Sequence, residues 1–395
     1  MTELRNLLHE LSDQAMVYDV AQRAKDGGRR RRRRGRMMAG GGAALSIASV
    51  VIGLSVWHDA PPRPIPAYPA SVSATPTKPA GPTVSCVAGE LPQPPGYPRK
   101  AFVTGADPSG RFILGRAYPQ GAGKRLLLWD GDTVNTVAMS GDDATLEDIT
   151  TSGVAIGTSY LGDNPVSWTY RNGKTTRLAG DNATARALNE SLIIVGVVGD
   201  WPVVWRNPSA QPEKLALPPG EWARGWAVAI SDDGYIVGSV VAKVASGEGD
   251  TVGLLWRPDG TVERLAPPAG YSDTGGVGPT AIRGDWIIGR FMTSGRLVNV
   301  RWNRSTGGSV VFPAPVAWTV NALGSTGGVG EPALRLVSGE VIALPSNIDG
   351  YQGVNRGGIF QPDGVIAAIS DDGHQVVGTL HDETFAGLAV RWSCR

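Results

Sequence analysis

A glycine that closes an apolar pair recurs through most of this chain, at Gly115, Gly157, Gly196, Gly238, Gly289 and Gly378, and each is followed 9 to 18 residues later by tryptophan: Trp129, Trp168, Trp205, Trp256, Trp302 and Trp392. A fixed internal period of roughly 40–50 residues marks an array of one small supersecondary unit and leaves little room for any other fold. The clearest unit is Trp226 to Pro267. It reads as four short strands, Ala227–Ile230, Tyr235–Val241, Val252–Arg257 and Thr261–Leu265. Turns of the Asp-Gly type, Ser231-Asp-Asp-Gly234 and Pro258-Asp-Gly260, separate the first strand from the second and the third from the fourth. Glycine accepts positive φ and aspartate bonds locally, which suits both to such turns.

Four antiparallel strands per unit make a blade, so the sequence predicts an all-β propeller. A degenerate unit fits between Trp318 and Leu344, where ALRLVSGEVIAL copies the third and fourth strands with leucine or arginine in place of tryptophan. Counting it gives seven blades; omitting it gives six.

The motif apolar-Ser/Asn-Asp-x-Gly-x-Val-Val-Gly followed by Leu-Trp and a turn resembles the HAF-type extracellular repeats, and more loosely the WD-repeat and Kelch propellers. The resemblance covers about residues 86–395 and implies a bladed fold on the outside of the cell. The His-Ala-Phe triplet of the named repeat is replaced by Gly253-Leu254-Leu255 and Gly387-Leu388-Ala389. Propellers host too many functions for the resemblance to carry an activity.

The two cysteines of the chain bracket the repeat. Cys86 to Tyr97 matches the end of the fourth unit, Gly260 to Tyr271, and is thus a fourth strand without its first three. The unit that begins at Ala368 reaches Trp392 and has no fourth strand. Pairing the two closes the ring and removes its exposed edges. Aligned this way, Cys394 falls at Pro258 and Cys86 at Gly260, either side of one hairpin turn, so a Cys86–Cys394 disulfide is expected in place of the turn.

Ahead of the repeat the composition changes abruptly. Residues 1–36 form a basic tail with ten Lys+Arg against five Asp+Glu, and Leu4, Leu7, Leu8 and Leu11 give it a short amphipathic helix. Six arginines, Arg29 to Arg34, end this tail, and residues 37–57 run for 21 residues without a charge, about 30 Å as a helix and enough for one membrane crossing. The arginines place the preceding side in the cytoplasm. A cleaved export signal is the alternative. Residues 58–85 are a Pro/Ser/Thr-rich tether, and 86–395 the extracellular domain. The expected location is therefore the cell membrane, single-pass, with membrane lipid as one partner, an extracytoplasmic protein or glycan as another, and a cytoplasmic partner possible for the N-terminal helix. After residue 36 the chain carries 27 Lys+Arg against 31 Asp+Glu, which argues against nucleic acid as a partner.

Chemistry is harder to find. His374 and His381 are the only histidines of residues 86–395 and no Gly-x-Ser-x-Gly elbow occurs, so no catalytic residue, metal site or cofactor is predicted. Connections between second and third strands vary in length, while the Asp-Gly hairpins stay short. Variable loops on a rigid scaffold are where recognition resides. The candidate ligand-binding residues on that face are Tyr118, Tyr160, Asp163, Trp201, Glu248, Tyr271, Trp318, Tyr351 and His381. The leading expectation is a non-catalytic binding, scaffolding or sensing module. The alternatives are a propeller enzyme acting on envelope glycans or peptides, and a receptor that signals through the cytoplasmic helix.

Overall fold

A computed structural model describes residues 84–395 apart from 98–99, 120–122, 246, 269, 272–275, 294–295, 314–315, 349–350, 353–362 and 382–386. The predicted tail, membrane span and all but the last residues of the tether lie outside the described residues. Among those described there is no helix long and apolar enough to cross a membrane.

Strand β1 (Cys86–Glu90) precedes five separate four-stranded antiparallel sheets. Blade 1 is β2–β5 (Ala101–Ala106, Phe112–Ala117, Arg125–Asp130, Thr133–Val137) and blade 2 is β6–β9 (Asp142–Ile149, Ala155–Leu161, Asn164–Arg171, Lys174–Arg177). Blade 3 is β10–β13 (Ala183–Leu188, Ile194–Val198, Trp201–Trp205, Glu213–Lys214). Blade 4 is β14–β17 (Trp222–Ile230, Ile236–Val244, Gly247–Trp256, Val262–Arg264), and blade 5 is β18–β21 (Val277–Arg283, Trp286–Thr293, Arg296–Asn303, Ser309–Phe312). One eight-stranded sheet holds β22–β25 (Val316–Val320, Thr326–Gly330, Ala333–Arg335, Val341–Ala343), β28–β30 (Gly364–Ile369, Gln375–His381, Gly387–Cys394) and β1. A small hairpin, β26–β27 (Asn347–Ile348, Tyr351–Gln352), lies between its halves in sequence. The first strands β2, β6, β10, β14, β18, β22 and β28 touch in that order, and β28 touches β2, so the ring closes around them.

This corrects the expectation of seven, or six, separate blades: five are separate, and the remaining strands share one sheet. The join is the pairing of Val329 with Val365 and of Gly330 with Gly364. Gly327, Gly328 and Gly330 on β23 and Gly364 on β28 surround this join, and a Cβ on Gly327 would meet the Ile366 side chain of β28 at 2.6 Å. Blade 4 differs too, since the predicted long loop after its second strand is instead a continuation of β15 and β16, paired out to Val244 and Gly247.

The repeated glycine has one structural cause. Each first strand carries a bulge, and the unpaired residues are Thr104, Glu147, Arg186, Val228, Thr280, Trp318 and Ala367. In the six glycine-marked units that glycine pairs with the residue just before the bulge, as Ala227 pairs with Gly238. The bulge turns the preceding carbonyl toward the second strand. A Cβ would lie 2.5 Å from the carbonyl oxygen of Thr145 at Gly157 and of Gly278 at Gly289, and closer still at the other four. Only glycine fits.

The repeated tryptophan has another. Trp129, Trp205, Trp256, Trp302 and Trp392 are buried in the cores between blades. Their indole N–H groups donate to the carbonyls of Pro92, Ala179, Ala216, Ala266 and Pro345. Each acceptor directly follows the leucine that ends the preceding unit, at Leu91, Leu178, Leu215, Leu265 and Leu344. Trp168 departs from the rule and donates to the Ser159 hydroxyl of its own blade at 2.7 Å.

Closure occurs where the sequence places it. β1 pairs with β30 from Cys86–Cys394 to Glu90–Val390, and the two cysteines form a disulfide with Cα atoms 4.0 Å apart. Ser85 and Arg395 exchange both backbone hydrogen bonds at 2.9 Å, which makes the cysteines a non-hydrogen-bonded pair, the closest approach an antiparallel ladder offers.

Candidate binding face

Antiparallel connectivity puts the first-to-second and third-to-fourth strand turns at one end of the ring. The second-to-third and blade-to-blade connections lie at the other, the loop face. The turn face is tied from blade to blade. The Asn189 amide donates to the Ser231 carbonyl at 3.1 Å, and that of Asn321 to Ser370 at 2.9 Å. The Arg283 guanidinium, at the end of β18, reaches Asp371 at 2.7 Å and Asp232 at 2.9 Å. Nearby Asp148 accepts from the amides of Ile149 and Leu188 at 2.9 and 3.0 Å. Burial pushes its carboxyl up to about 7, against those two amides and the charge of Arg283. These contacts read as struts.

Cation–ring pairs stand at the turn end, Arg111 with Phe112, Arg301 with Trp286 and Arg304 with Tyr235 at 4.6, 5.2 and 4.0 Å, and on the loop face as well. Tyr118, at the end of β3, meets Phe102 edge-on with centroids 5.8 Å apart, and His381, ending β29, lies 6.1 Å from Phe102 on the same cluster. The Arg116 guanidinium covers both Phe102 and Tyr118 at 5.8 and 6.0 Å. Tyr118 is exposed, whereas His381 is buried. On blade 3 the Lys214 ammonium sits 5.6 Å from the Trp201 ring. On blade 4 Arg224 pairs with Glu248 at 2.7 Å and lies 6.0 Å from Trp226, while Arg264 covers Trp222 at 5.5 Å. Between blade 5 and β22 the Arg290 guanidinium lies 5.1 Å from the Trp318 indole, which is 49% exposed. Cations over ring faces hold such aromatics in place while leaving the opposite face for a ligand.

Of the nine residues expected here, the structure brings Tyr118 and His381 into one cluster and gives Trp201, Glu248 and Trp318 cationic neighbours. Tyr271 packs edge-on against Phe291, 5.6 Å away, as part of the blade 5 core. Tyr160 and Asp163 stand at the β7–β8 hairpin, apart from these clusters. The backbone of Tyr351 is in β27; its side chain lies outside the described residues.

Sequence reasoning missed Arg116, Arg224 and Arg290. A signal for two of them exists. The residue after the marker glycine is small where the repeat is regular, as at Thr158, Val197, Ser239 and Thr379, but it is arginine at 116 and 290. The Thr379 hydroxyl there accepts from the Val103 amide at 2.9 Å across the blade boundary, so the position faces the neighbouring blade. An arginine at that place must wedge between blades and end near the loop face.

No family model and no curated protein matches the chain. Among solved structures it is similar to an oligogalacturonate lyase from Vibrio parahaemolyticus, at 11% identity and TM-score 0.48, covering 79% of this chain and 97% of that one. It is also similar to TolB from Acinetobacter baumannii (13% identity, TM-score 0.32, 76% of this chain and 65% of that one) and to the acylaminoacyl peptidase of Pyrococcus horikoshii (12%, 0.43, 64% and 46%).

Proposed function

We propose that this protein is a membrane-anchored, extracytoplasmic, non-catalytic binding module that presents the loop face of its propeller to an envelope ligand. The observation that carries this reading is the paired furnishing of that face: aromatic rings at Tyr118, Trp201, Trp222, Trp226 and Trp318, each with a cationic side chain 5.1–6.0 Å from its centroid. Rigid aromatic platforms with charged neighbours recognise ligands at low entropic cost. The disulfide supports an oxidising compartment, and the uncharged run at 37–57 supports the anchor.

The enzymatic alternative draws on the inner-strand carboxylates Glu147 and Asp148, because a carboxyl near neutrality suits general acid catalysis. Both are engaged, however. Glu147 accepts from the Thr158 hydroxyl at 3.0 Å, and Asp148 from two amides.

The full chain in nanodiscs, incubated with fractionated envelope polysaccharide and peptide, separates the readings. Saturable binding with no new reducing ends or free amines is expected. Product formation that disappears in Asp148→Asn or Glu147→Gln would overturn it.

A further inference from the structure

Among the arginines packed between strands of this ring, Arg116 lies against the Phe102 and Tyr118 rings, and four others are neutralised or clamp carbonyls. Arg224 has Glu248, Arg283 has Asp232 and Asp371, Arg304 has Asp233 and Asp285, and Arg301 bonds the carbonyls of Gly324, Leu336 and Val337. Arg290 has neither kind of partner among the described residues; its Nε is buried without a hydrogen bond, and its guanidinium lies 5.1 Å from the Trp318 indole. Burial holds its pKa below the usual arginine value, with no carboxylate acting to raise it. An uncompensated, partly desolvated guanidinium is costly to keep. The neighbourhood makes it costlier, since residues 277–344 carry six arginines and no lysine against one aspartate and two glutamates.

The position is also open. Trp318 is the bulge residue of β22, aligned with Thr104, Glu147 and Arg186 on the other first strands, and it keeps about half its surface exposed. Arg290 lies opposite Gly278 on one side and Asn299 on the other. Glycine leaves room beside it. The buried Asn299 side chain donates to the Pro313 carbonyl at 3.4 Å and accepts from the Ala317 amide at 3.1 Å, which ties β20 to β22 beside it.

We propose that the junction between blade 5 and β22 binds a carboxylate-bearing saccharide, its acid group on the Arg290 guanidinium and its ring against the Trp318 indole. This rests on the binding-module reading and gives that reading a ligand class. The planar fork of arginine matches a carboxylate with two parallel hydrogen bonds, and the indole supplies the flat apolar face that the C–H side of a pyranose covers.

The test uses the full chain in nanodiscs and two ligand pairs, each differing only at the acid: a glucuronate-containing tetrasaccharide with its carboxyl-reduced counterpart, and an N-acetylated tripeptide with its C-terminal amide. Titration calorimetry is expected to show the acidic saccharide binding at least about tenfold tighter than the reduced one. Arg290→Met should abolish that preference, Arg290→Lys retain part of it, and Trp318→Ala weaken both saccharides. Near-ultraviolet circular dichroism, matched to the parent, establishes that each variant is folded. Equal affinity for the acidic and reduced saccharides, an undiminished preference in folded Arg290→Met, or a preference seen only for the peptide acid would overturn the proposal. Retained capture of envelope material in Arg290→Met would then leave the binding-module reading standing, whereas turnover of the saccharide would remove that reading itself.

Discussion

The indole Nε1 of Trp129 donates to the carbonyl of Pro92 at 2.7 Å, joining blade 1 to the segment that follows the closing strand β1. The same bond recurs at four further blade boundaries, so the tryptophan is a joint as well as a core residue. Removing only the donor leaves a carbonyl unsatisfied, a loss of about 1–3 kcal/mol, while removing the ring adds a cavity and costs about 3–5 kcal/mol. Trp129→Phe should therefore be clearly milder than Trp129→Ala in urea unfolding. Equal losses would show that the hydrogen bond contributes nothing.

Gly238 offers a sharper contrast with another glycine of the inner strands. Its Cβ would overlap the Trp226 carbonyl and crowd the Ala227 Cα at 2.8 Å, whereas a Cβ on Gly278 meets nothing within 4 Å. Gly238→Ala should destabilise by about 1–3 kcal/mol or more, as overpacking does, and Gly278→Ala by well under 1. Thermal melts of the two variants side by side decide this, and similar shifts would reject the bulge explanation of the motif.

That motif explains how much could be read in advance. The glycine, the tryptophan and the Asp-Gly turns are local answers to a local problem, so they mark first, second and third strands wherever they occur. The fusion of β23 with β28 runs through a glycine-rich stretch, Gly327, Gly328 and Gly330 facing Gly364, which by sequence alone looks like more turn glycine. The loop face was legible as a face because connection lengths follow from strand order. Its cationic partners were not. What Arg290 covers depends on the strand beside its blade, since Trp318 belongs to β22; Arg116 covers Phe102 and Tyr118 of its own blade, and His381 is buried beside Phe102 from the other end of the sequence.

The Cys86–Cys394 bond closes a loop of 308 residues. In the chain-entropy model that constraint is worth roughly 5 kcal/mol, and measured losses on removing a native disulfide are about 2–5. The ladder between β1 and β30 remains when the bond is cut, so Cys394→Ser should fold yet melt at a lower temperature, and β1 amides should exchange faster than those of β29. Mass spectrometry of non-reduced peptides should recover the two cysteines joined. Free thiols at both positions would reject the clasp.

Asp148 should make stability fall as pH rises. Its carboxyl is pushed up to about 7 by burial, against an ordinary value of 3.8. Between about pH 4 and 7 the folded protein therefore holds a proton that the unfolded chain has released, and the ring loses stability through that window. Above about pH 7 the loss is complete and on the order of 1–4 kcal/mol. Asp148→Asn removes the titration but leaves one oxygen to serve the Ile149 and Leu188 amides, so it carries a constant offset of its own. The informative quantity is consequently the slope. The stability of the parent relative to Asp148→Asn should decline between about pH 4 and pH 7 in urea titrations and level off above, and parallel curves would place the Asp148 proton elsewhere.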